Sequence, residues 1–518
     1  MTRIRICRLM MVCGLGVAIA LMAGAGLPRA EDGGPTVVAR RARRRHRVTT
    51  STTTPTVAAP VGRSVDELSG EVTNLRAQSA ETTSEVKQLQ QAVVVAPPAT
   101  PSAAPKTIGE HVAVVEQQLT DVRKTLADHL GVHIHGLVDG NYEYNFNVPN
   151  TAGTALSSSG RVNELRTFDV DANSFSLQQF NLHIDRTVEG GVGFVTDLNF
   201  GKTAEVLWAA THYSNSNTPQ STQEFDPTQA YLTYTVPVGK GINLQLGKFV
   251  TLLGEEVIPV YNNLNFNETR SYIFGFGIPF THTGIRAQYS FNDKIGLTMG
   301  LNNGWDDPSD NNDGKSIEGQ LALTPTSNLS MLINGMYGPE QANHGNSKRG
   351  IIDPIVTWKT PLKGLQLIGE YMYAHEDAPV SVSPFVTSQG NSLIDPTTEA
   401  ALSPITHGVD WQGFAGYAVY DFSENLELAT RFEWFRDSDG ARTGLRQTLY
   451  EVTETLNYKV PLVNGLLARL EYRHDASSAH PFYSDDPLVA GPAGYPFLLP
   501  THTYSGQDTL LAAAIYQF

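Results

Sequence analysis

The sequence predicts an all-β fold: a transmembrane antiparallel up-and-down β-barrel of about 16 strands, preceded by a periplasmic α-helical coiled-coil segment. Apolar and polar residues alternate with period two from residue 133 to the last residue. Short polar turns alternate with longer loops along the same stretch, and an export signal precedes it. Apolar side chains toward lipid and polar side chains toward a wet lumen are typical of outer-membrane barrels.

The export signal is predicted at residues 1–30. Three arginines precede an apolar run at 9–27, and Ala23-Gly24-Ala25 fits a signal-peptidase site, with Ala30 as a second candidate end. Both cysteines of the chain, Cys7 and Cys13, fall inside this signal. The mature chain is therefore expected to form no disulfide and no thiolate metal site.

Five further segments are predicted after the signal. A basic arm and a Thr/Pro/Ala-rich linker occupy 31–63, and a Pro/Ala linker occupies 97–106. The basic stretch at 40–47 is consistent with a solvated arm, or with contact to anionic lipid or to the cell wall. Amphipathic helices are expected at 64–96 and 107–131, and the barrel at 132–518.

The helix at 64–96 keeps apolar residues mostly at heptad a and d positions, which is typical of a coiled coil. A capping-box start at Ser64 and another at Thr107 mark the two helix beginnings. Single helices without a partner are one interpretation. The other, which we prefer, is a homo-oligomer, for example a trimer, that buries both apolar stripes.

The hairpin at 284–303 is the clearest strand pair. In each of its two strands apolar residues alternate with polar or small ones, and the turn at 292–294 joins the strands. Phase breaks in the second and twelfth strands predict a bulge in each, the alternative being that the bounds of the strand are misdrawn. The sixteen predicted strands cover 133–147, 174–187, 192–201, 229–236, 242–249, 284–291, 295–303, 316–324, 329–337, 350–359, 365–374, 411–421, 426–436, 447–458, 466–474 and 507–518.

The loop at 250–283 is the candidate functional element. It is rich in Phe, Tyr and Ile, so we expect it to fold into the lumen and narrow the pore. An alternative is that the charges on the wall are ladder pairs between neighbouring strands. The predicted constriction residues are Glu255, Glu256 and Arg270 on the loop and Arg286, Arg431 and Arg469 on the wall.

Motifs for catalysis or for a cofactor were not found, so no enzyme activity and no cofactor is predicted. Asp310 and Asp313 in one acidic loop, and the turn at 437–440, resemble calcium loops only weakly. Solvated turn residues are the preferred interpretation of both. His133 and His135 share one strand face but lack the further ligands that a zinc site needs.

The stretch at 247–325 resembles the putative beta-barrel porin family of the OmpL-like type. Its similarity rests on GKF at 247–249, IPFTHTG at 278–284 and NGWD with DNN at 303–312. The opening HGLVDGNYEYNFN (135–147) and the segment RFEWFRDSDGARTG (431–444) are also similar. This resemblance covers most of the barrel and none of the coiled-coil region, and it implies an outer-membrane pore.

Together these patterns favour a porin in the outer membrane of a Gram-negative-type bacterium, with its N-terminal helices in the periplasm. Small hydrophilic solutes or ions would diffuse passively through a water-filled barrel in contact with outer-membrane lipid. The formal net charge of −15 argues against nucleic acid as a partner and mildly favours cations in the pore. The alternative is a non-conducting anchor whose coiled coil links the barrel to the cell wall.

Overall fold

The computed structural model describes eight stretches of the chain. They are residues 108–149, 161–188, 190–213, 224–377, 407–485, 488–490, 498–500 and 503–518. The predicted export signal, basic arm, linkers and first coiled-coil helix lie outside them. The first described element is the helix α1 (Ile108–Leu130), inside the range predicted for the second amphipathic helix. No helix among the described residues is long and apolar enough to span a membrane.

Sixteen antiparallel strands close into a barrel. The order around it is β1-β18-β15-β14-β13-β12-β11-β10-β9-β8-β7-β6-β5-β4-β3-β2. Its strands are β1 (Val132–Asn145), β2 (Ser174–Arg186), β3 (Val192–Phe200), β4 (Phe225–Val236), β5 (Ile242–Val250), β6 (Thr281–Asn292), β7 (Ile295–Asn302), β8 (Ser316–Thr326), β9 (Leu329–Pro339), β10 (Lys348–Lys359), β11 (Leu365–Glu376), β12 (Val409–Asp421), β13 (Leu426–Asp437), β14 (Gln447–Lys459), β15 (Leu466–Ser477) and β18 (Gly506–Gln517). The predicted fold class, in its barrel part, is thereby confirmed.

Alternation along each strand separates an inner from an outer face. In β1, Asp139, Asn141 and Glu143 are buried on the inner face. Val138 and Tyr144, which flank this stretch, are exposed on the outer face. Successive side chains of a strand point to opposite faces, so a period-two sequence gives an apolar exterior and a polar interior. We call the two rims the long-loop end and the short-turn end.

The register shifts at four places: within β2, within β4, in β6 between Ser290 and Asn292, and in β8 between Leu323 and Thr326. Gln178 is the extra residue of β2, because Asp139 pairs with Gln179 and Gly140 with Leu177. A bulge in the second strand was predicted from its phase break. Thr228 is the extra residue of β4, which the sequence did not suggest. The predicted bulge in β12 is wrong, since that strand keeps one continuous register with both neighbours.

Three further elements lie in the connections. The helix α2 (Lys202–Tyr213) follows β3, and its Ala204 and Leu207 are buried. A π-helical turn (Ile273–Gly277) precedes β6. The short strands β16 (Leu488–Ala490) and β17 (Leu498–Pro500) pair with each other before β18.

Candidate functional site inside the barrel

The connection between β5 and β6, which we call L3 (residues 251–280), crosses the lumen. In the circle of 16 strands, β13 stands eight positions from β5, and β14 eight positions from β6. These opposite strands hold L3: Asn267 Nδ2 donates to Thr455 Oγ1 of β14 at 2.6 Å. Midway along L3, Tyr261 stacks on His135 near the short-turn end, with ring centroids 4.4 Å apart. The loop therefore runs through the interior of the barrel rather than over its rim.

Carboxylates of the opposite wall accept the backbone N–H groups of L3. Glu433 of β13 accepts from the N–H groups of Tyr272 and Ile273, both at 2.6 Å. Glu471 of β15 accepts from those of Glu268 and Thr269 at 2.6 and 3.0 Å. A buried loop without a regular ladder needs partners of this kind, because an unpaired buried amide costs about 1–3 kcal/mol.

Arginines of the same wall bind the carbonyl and carboxylate groups of L3. Arg431 is fully buried and donates to the Glu256 carboxylate and, at 2.7 Å, to the carbonyl oxygen of Thr269. Its Nε also donates to Glu451 of the neighbouring strand at 2.6 Å. A planar guanidinium with five donors can serve the loop and the wall together, which a lysine cannot do as well.

Two arginines of β15 extend these contacts. Arg469 pairs with Glu268 at 2.8 Å and donates to the backbone oxygen of Asn265. Arg473 donates to the carbonyl oxygen of Arg270. The residues that hold L3 to the opposite wall form what we call the anchor cluster: Arg431, Glu433, Arg469, Glu471 and Arg473.

The remaining predicted site residues lie in different surroundings. Arg286 sits on the wall beside the loop's own root, where its guanidinium pairs with Glu318 at 2.9 and 3.0 Å and lies 4.0 Å from the Phe249 ring centroid. Glu318 is on β8, and β7 lies between that strand and β6, so this ion pair is not the ladder pair between neighbouring strands that was the alternative. Arg270 donates to the backbone oxygen of Glu268 and is buried within L3. Glu255 is only partly buried.

One side of L3 packs against apolar side chains of β9–β12. Ile273 and Ile278 of L3 belong to one buried cluster with Ile355, Met372 and Trp411 of the wall. The indole N–H of Trp411 donates to the carbonyl oxygen of Gly277 at 3.0 Å. We call this the dry side of the lumen, because its centre is a close-packed apolar cluster; the buried polar side chains Asn334, Asp353 and Glu370 lie on the same strands.

The opposite side, bounded by the inner faces of β1–β6, is polar, and we call it the wet side. Gln179 Oε1, Asn181 Oδ1 and Gln245 Oε1 are buried there without a donor from the described part of the chain. Asn243 is part-exposed and Gln288 is exposed toward the short-turn end. Asn243 and Gln288, whose side chains reach solvent, rather than these buried oxygens, place water against this side of the lumen.

A second inward loop, which we call L1 (residues 146–173, described at 146–149 and 161–173), was not predicted to reach the site. Its Arg166 is buried and pairs with Asp475 of β15 at 2.7 Å and with Asp169. Burial raises the pKa of Glu164 in the same loop to about 8. Nothing local in the sequence marks Arg166, whereas Arg473 has the inward phase of Arg469 and could have been identified.

The weak calcium candidates receive no support. Among the described residues, no group of three or more His, Cys, Asp or Glu side chains could hold a metal ion. Asp310 forms an ion pair with Lys315. Asp437, in the second candidate turn, instead accepts the backbone N–H groups of Ala441, Arg442 and Thr443 at 2.7–2.9 Å. Its carboxylate thus closes the loop between β13 and β14.

The family described as "Putative beta-barrel porin-2, OmpL-like" matches residues 131–518. No curated protein matches the chain. Among solved structures, OmpT of Vibrio cholerae is 11% identical with a TM-score of 0.44, and 75% of this chain aligns with 97% of that one. The outer membrane channel DcaP of Acinetobacter baumannii is 12% identical with a TM-score of 0.42, again over 75% of this chain and 97% of that one. An anion-selective porin from Comamonas acidovorans is 10% identical with a TM-score of 0.43, over 75% and 99% of the two chains. With three quarters of its length matched by the family and its strands closed into a 16-stranded barrel, the chain belongs to the OmpL-like beta-barrel porin-2 family and is an outer-membrane porin.

Proposed function

We propose that this porin lets small hydrophilic solutes or ions diffuse passively along the wet side of its lumen. The division of the interior by L3 supports this most directly. On the dry side, Ile273, Met372 and Trp411 pack into an apolar cluster. On the wet side, the part-exposed Asn243 and the exposed Gln288 keep polar groups accessible on the wall. Only along the wet side can a hydrophilic solute keep its bound water or exchange it for hydrogen bonds with the protein.

In this proposal L3 is the constriction and the anchor cluster fixes its position. Glu256, Arg431 and Arg469 would act on permeation through the loop that they hold, since all three are buried. Arg286 would shape the wall beside the root of L3, where it pairs with Glu318. Arg270 would stiffen the loop itself, and the part-exposed Glu255 would face the permeating solute directly.

Conductance of the purified protein in planar lipid bilayers tests the function. We expect discrete single-channel steps in KCl, and entry of small sugars into liposomes that carry the protein. Deletion of residues 255–270 is expected to raise the single-channel conductance, because the crossing segment of L3 is removed. A protein that passes neither current nor sugar would instead be the non-conducting anchor, and an unchanged conductance in the deletion would remove L3 from the pathway.

The N-terminal region is proposed to act beside the pore. After cleavage of the export signal near residue 30, the basic arm at 31–63 and the helices at 64–96 and 107–131 would stand in the periplasm. Their apolar stripes would pair between copies of the chain, giving a homo-oligomer such as a trimer. The basic arm would contact the cell wall. Cross-linking of the full-length protein, compared with a variant lacking residues 31–106, is the corresponding test, and equal oligomers in both would contradict it.

A further inference from the structure

The charges on the wet side are unevenly distributed, and we propose that they make the pore prefer cations, with Asp185 and Asp197 as the residues that set this preference. The inference rests on the proposed function, since selectivity requires conduction.

Basic groups on this wall are few and neutralised. The six strands β1–β6 contain three lysine or arginine residues, Arg186, Lys248 and Arg286. Arg286 pairs with Glu318 at 2.9 Å, and Lys248 pairs with Asp226 at 3.3 Å. Arg186 is exposed and has the phase of the outer face. None of the three therefore leaves an uncompensated positive charge on the wet side.

Acidic groups outnumber them on the inner faces of the same strands. Glu143 is 3.6 Å from Arg166 of L1, which also pairs with Asp169 and Asp475. Asp185 and Asp197 share one imidazole instead: His183 Nδ1 is 2.8 Å from Asp197 Oδ1, and His183 Nε2 is 3.5 Å from Asp185 Oδ1. With a neutral imidazole this triad carries two negative charges, and with a protonated one it still carries one.

The other polar contacts of the triad do not cancel this charge. Asn181 Nδ2 donates to Asp197 Oδ1 at 3.3 Å, and Gln229 Nε2 donates to Asp197 Oδ2 at 2.7 Å. These amides are neutral, so they orient the Asp197 carboxylate without neutralising it. Asp185 keeps about a quarter of its side chain exposed to the lumen, with 24% accessible.

Acceptor oxygens next to the triad point to the same class of ligand. Asn181 is fully buried and Gln179 nearly so, and in the described part of the chain no donor reaches the side-chain oxygen of either residue. Gln179 and Asn181 follow one another on the inner face of β2, four and two residues before His183. A permeating K⁺ would meet the part-exposed Asp185 carboxylate, and the buried amide oxygens add negative potential to the same wall.

The arginines of the anchor cluster lie on the opposite wall and are bound there. Arg431, Arg469 and Arg473 of the anchor cluster are buried against L3 and paired with carboxylates. The field along the hydrated route is thus set by the wet side, and low-dielectric walls focus it. The three arginines are expected to influence selectivity far less than their number suggests.

Reversal potentials in a KCl gradient test the proposal, measured at pH 8 on the full-length protein in planar bilayers. We expect a K⁺ to Cl⁻ permeability ratio on the order of 10. The ratio should fall at least twofold in Asp197→Asn and in Asp185→Asn. Asp185→Asn is the variant less expected to disturb folding. The Asp185 carboxylate is part-exposed, and its ion pair with His183 spans 3.5 Å. Glu424→Gln in an exposed short turn removes one negative charge outside the lumen, and it should leave the ratio unchanged.

The recordings distinguish a failure of the cation preference from a failure of the pore function. A conducting wild type with a ratio at or below one, or two Asp→Asn variants that conduct with the wild-type ratio, would overturn the cation preference alone. A wild type that passes no current would overturn the porin mechanism and this inference together. Correct folding of each variant is checked by the heat-dependent mobility of the barrel on a gel before recording.

Discussion

Replacement of Arg431 by methionine is expected to loosen L3 while the barrel stays closed. Arg431 reaches Glu256 and the carbonyl oxygen of Thr269 on the loop, and Glu451 on the wall. Methionine keeps most of the side-chain volume but donates no hydrogen bond. The strands around it keep their ladder, which does not depend on this side chain.

The size of the effect follows from the contacts made to the loop. Two hydrogen bonds that involve a charged group, to Glu256 and to Thr269, contribute about 1.5–3 kcal/mol each, or about 3–6 kcal/mol together. Every 1.4 kcal/mol is a factor of ten in an equilibrium, so the ratio of released to seated L3 should rise at least about 100-fold. The loss of the Glu451 pair lowers the stability of both states and does not change this ratio.

Single-channel recording in planar bilayers measures the change. Arg431→Met should show frequent transitions to a larger conductance that the wild type rarely enters. Arg436→Met is the matched control, because Arg436 lies on the same strand but is exposed on the outer face. If Arg431→Met has the conductance distribution of the wild type, the anchor cluster does not fix L3 and the reasoning fails.

Three further outcomes are expected. Because burial raises the pKa of Glu164 from 4.5 to about 8, the folded barrel holds this proton longer than the unfolded chain, so its stability falls as pH rises from about 4.5 to 8. Glu164→Gln should therefore melt like the wild type at pH 4 and at a higher temperature at pH 8.5, and equal melting at both pH values would contradict this. A methyl group at Gly284 would overlap the backbone oxygen of Leu301, so Gly284→Ala should lower the free energy of unfolding by about 1–3 kcal/mol. Gly369→Ala, where the nearest atom is 3.8 Å away, should cost less than half as much in urea unfolding, and equal losses would refute the steric account. Asp437→Ala removes the acceptor of three backbone N–H groups, so limited proteolysis should cleave the chain at 438–446 faster than in the wild type, while unchanged cleavage would argue against this role.

Sequence reasoning identified the barrel well because its signal is local and repeated. Each strand shows its own period-two alternation, and the hairpin at 284–303 appears as β6 and β7 joined by a short turn. The boundaries shift by up to four residues, as at β4, which begins at Phe225 instead of 229. There Pro227 and the bulge at Thr228 interrupt the alternation that marks a strand.

The anchoring of L3 could not be predicted in the same way. Its contacts join residues that are more than 150 positions apart, such as Tyr272 with Glu433. Alternation shows that Glu433 and Glu471 point inward, but it does not show which part of the interior they meet. The helix α2 was missed for another reason: twelve residues between strands were taken as loop, although Ala204 and Leu207 give it a short apolar face.

The position of the anchor cluster half a circumference from the root of L3 has a consequence for assembly. The wall that receives L3 is built from β13–β15, which follow L3 in the chain by more than 140 residues. The loop can reach its partners only after the first and last strands have met, because β1 pairs with β18 to complete the circle. Closure of the ring should thus precede seating of the loop, and water would leave the dry side as the last step of folding.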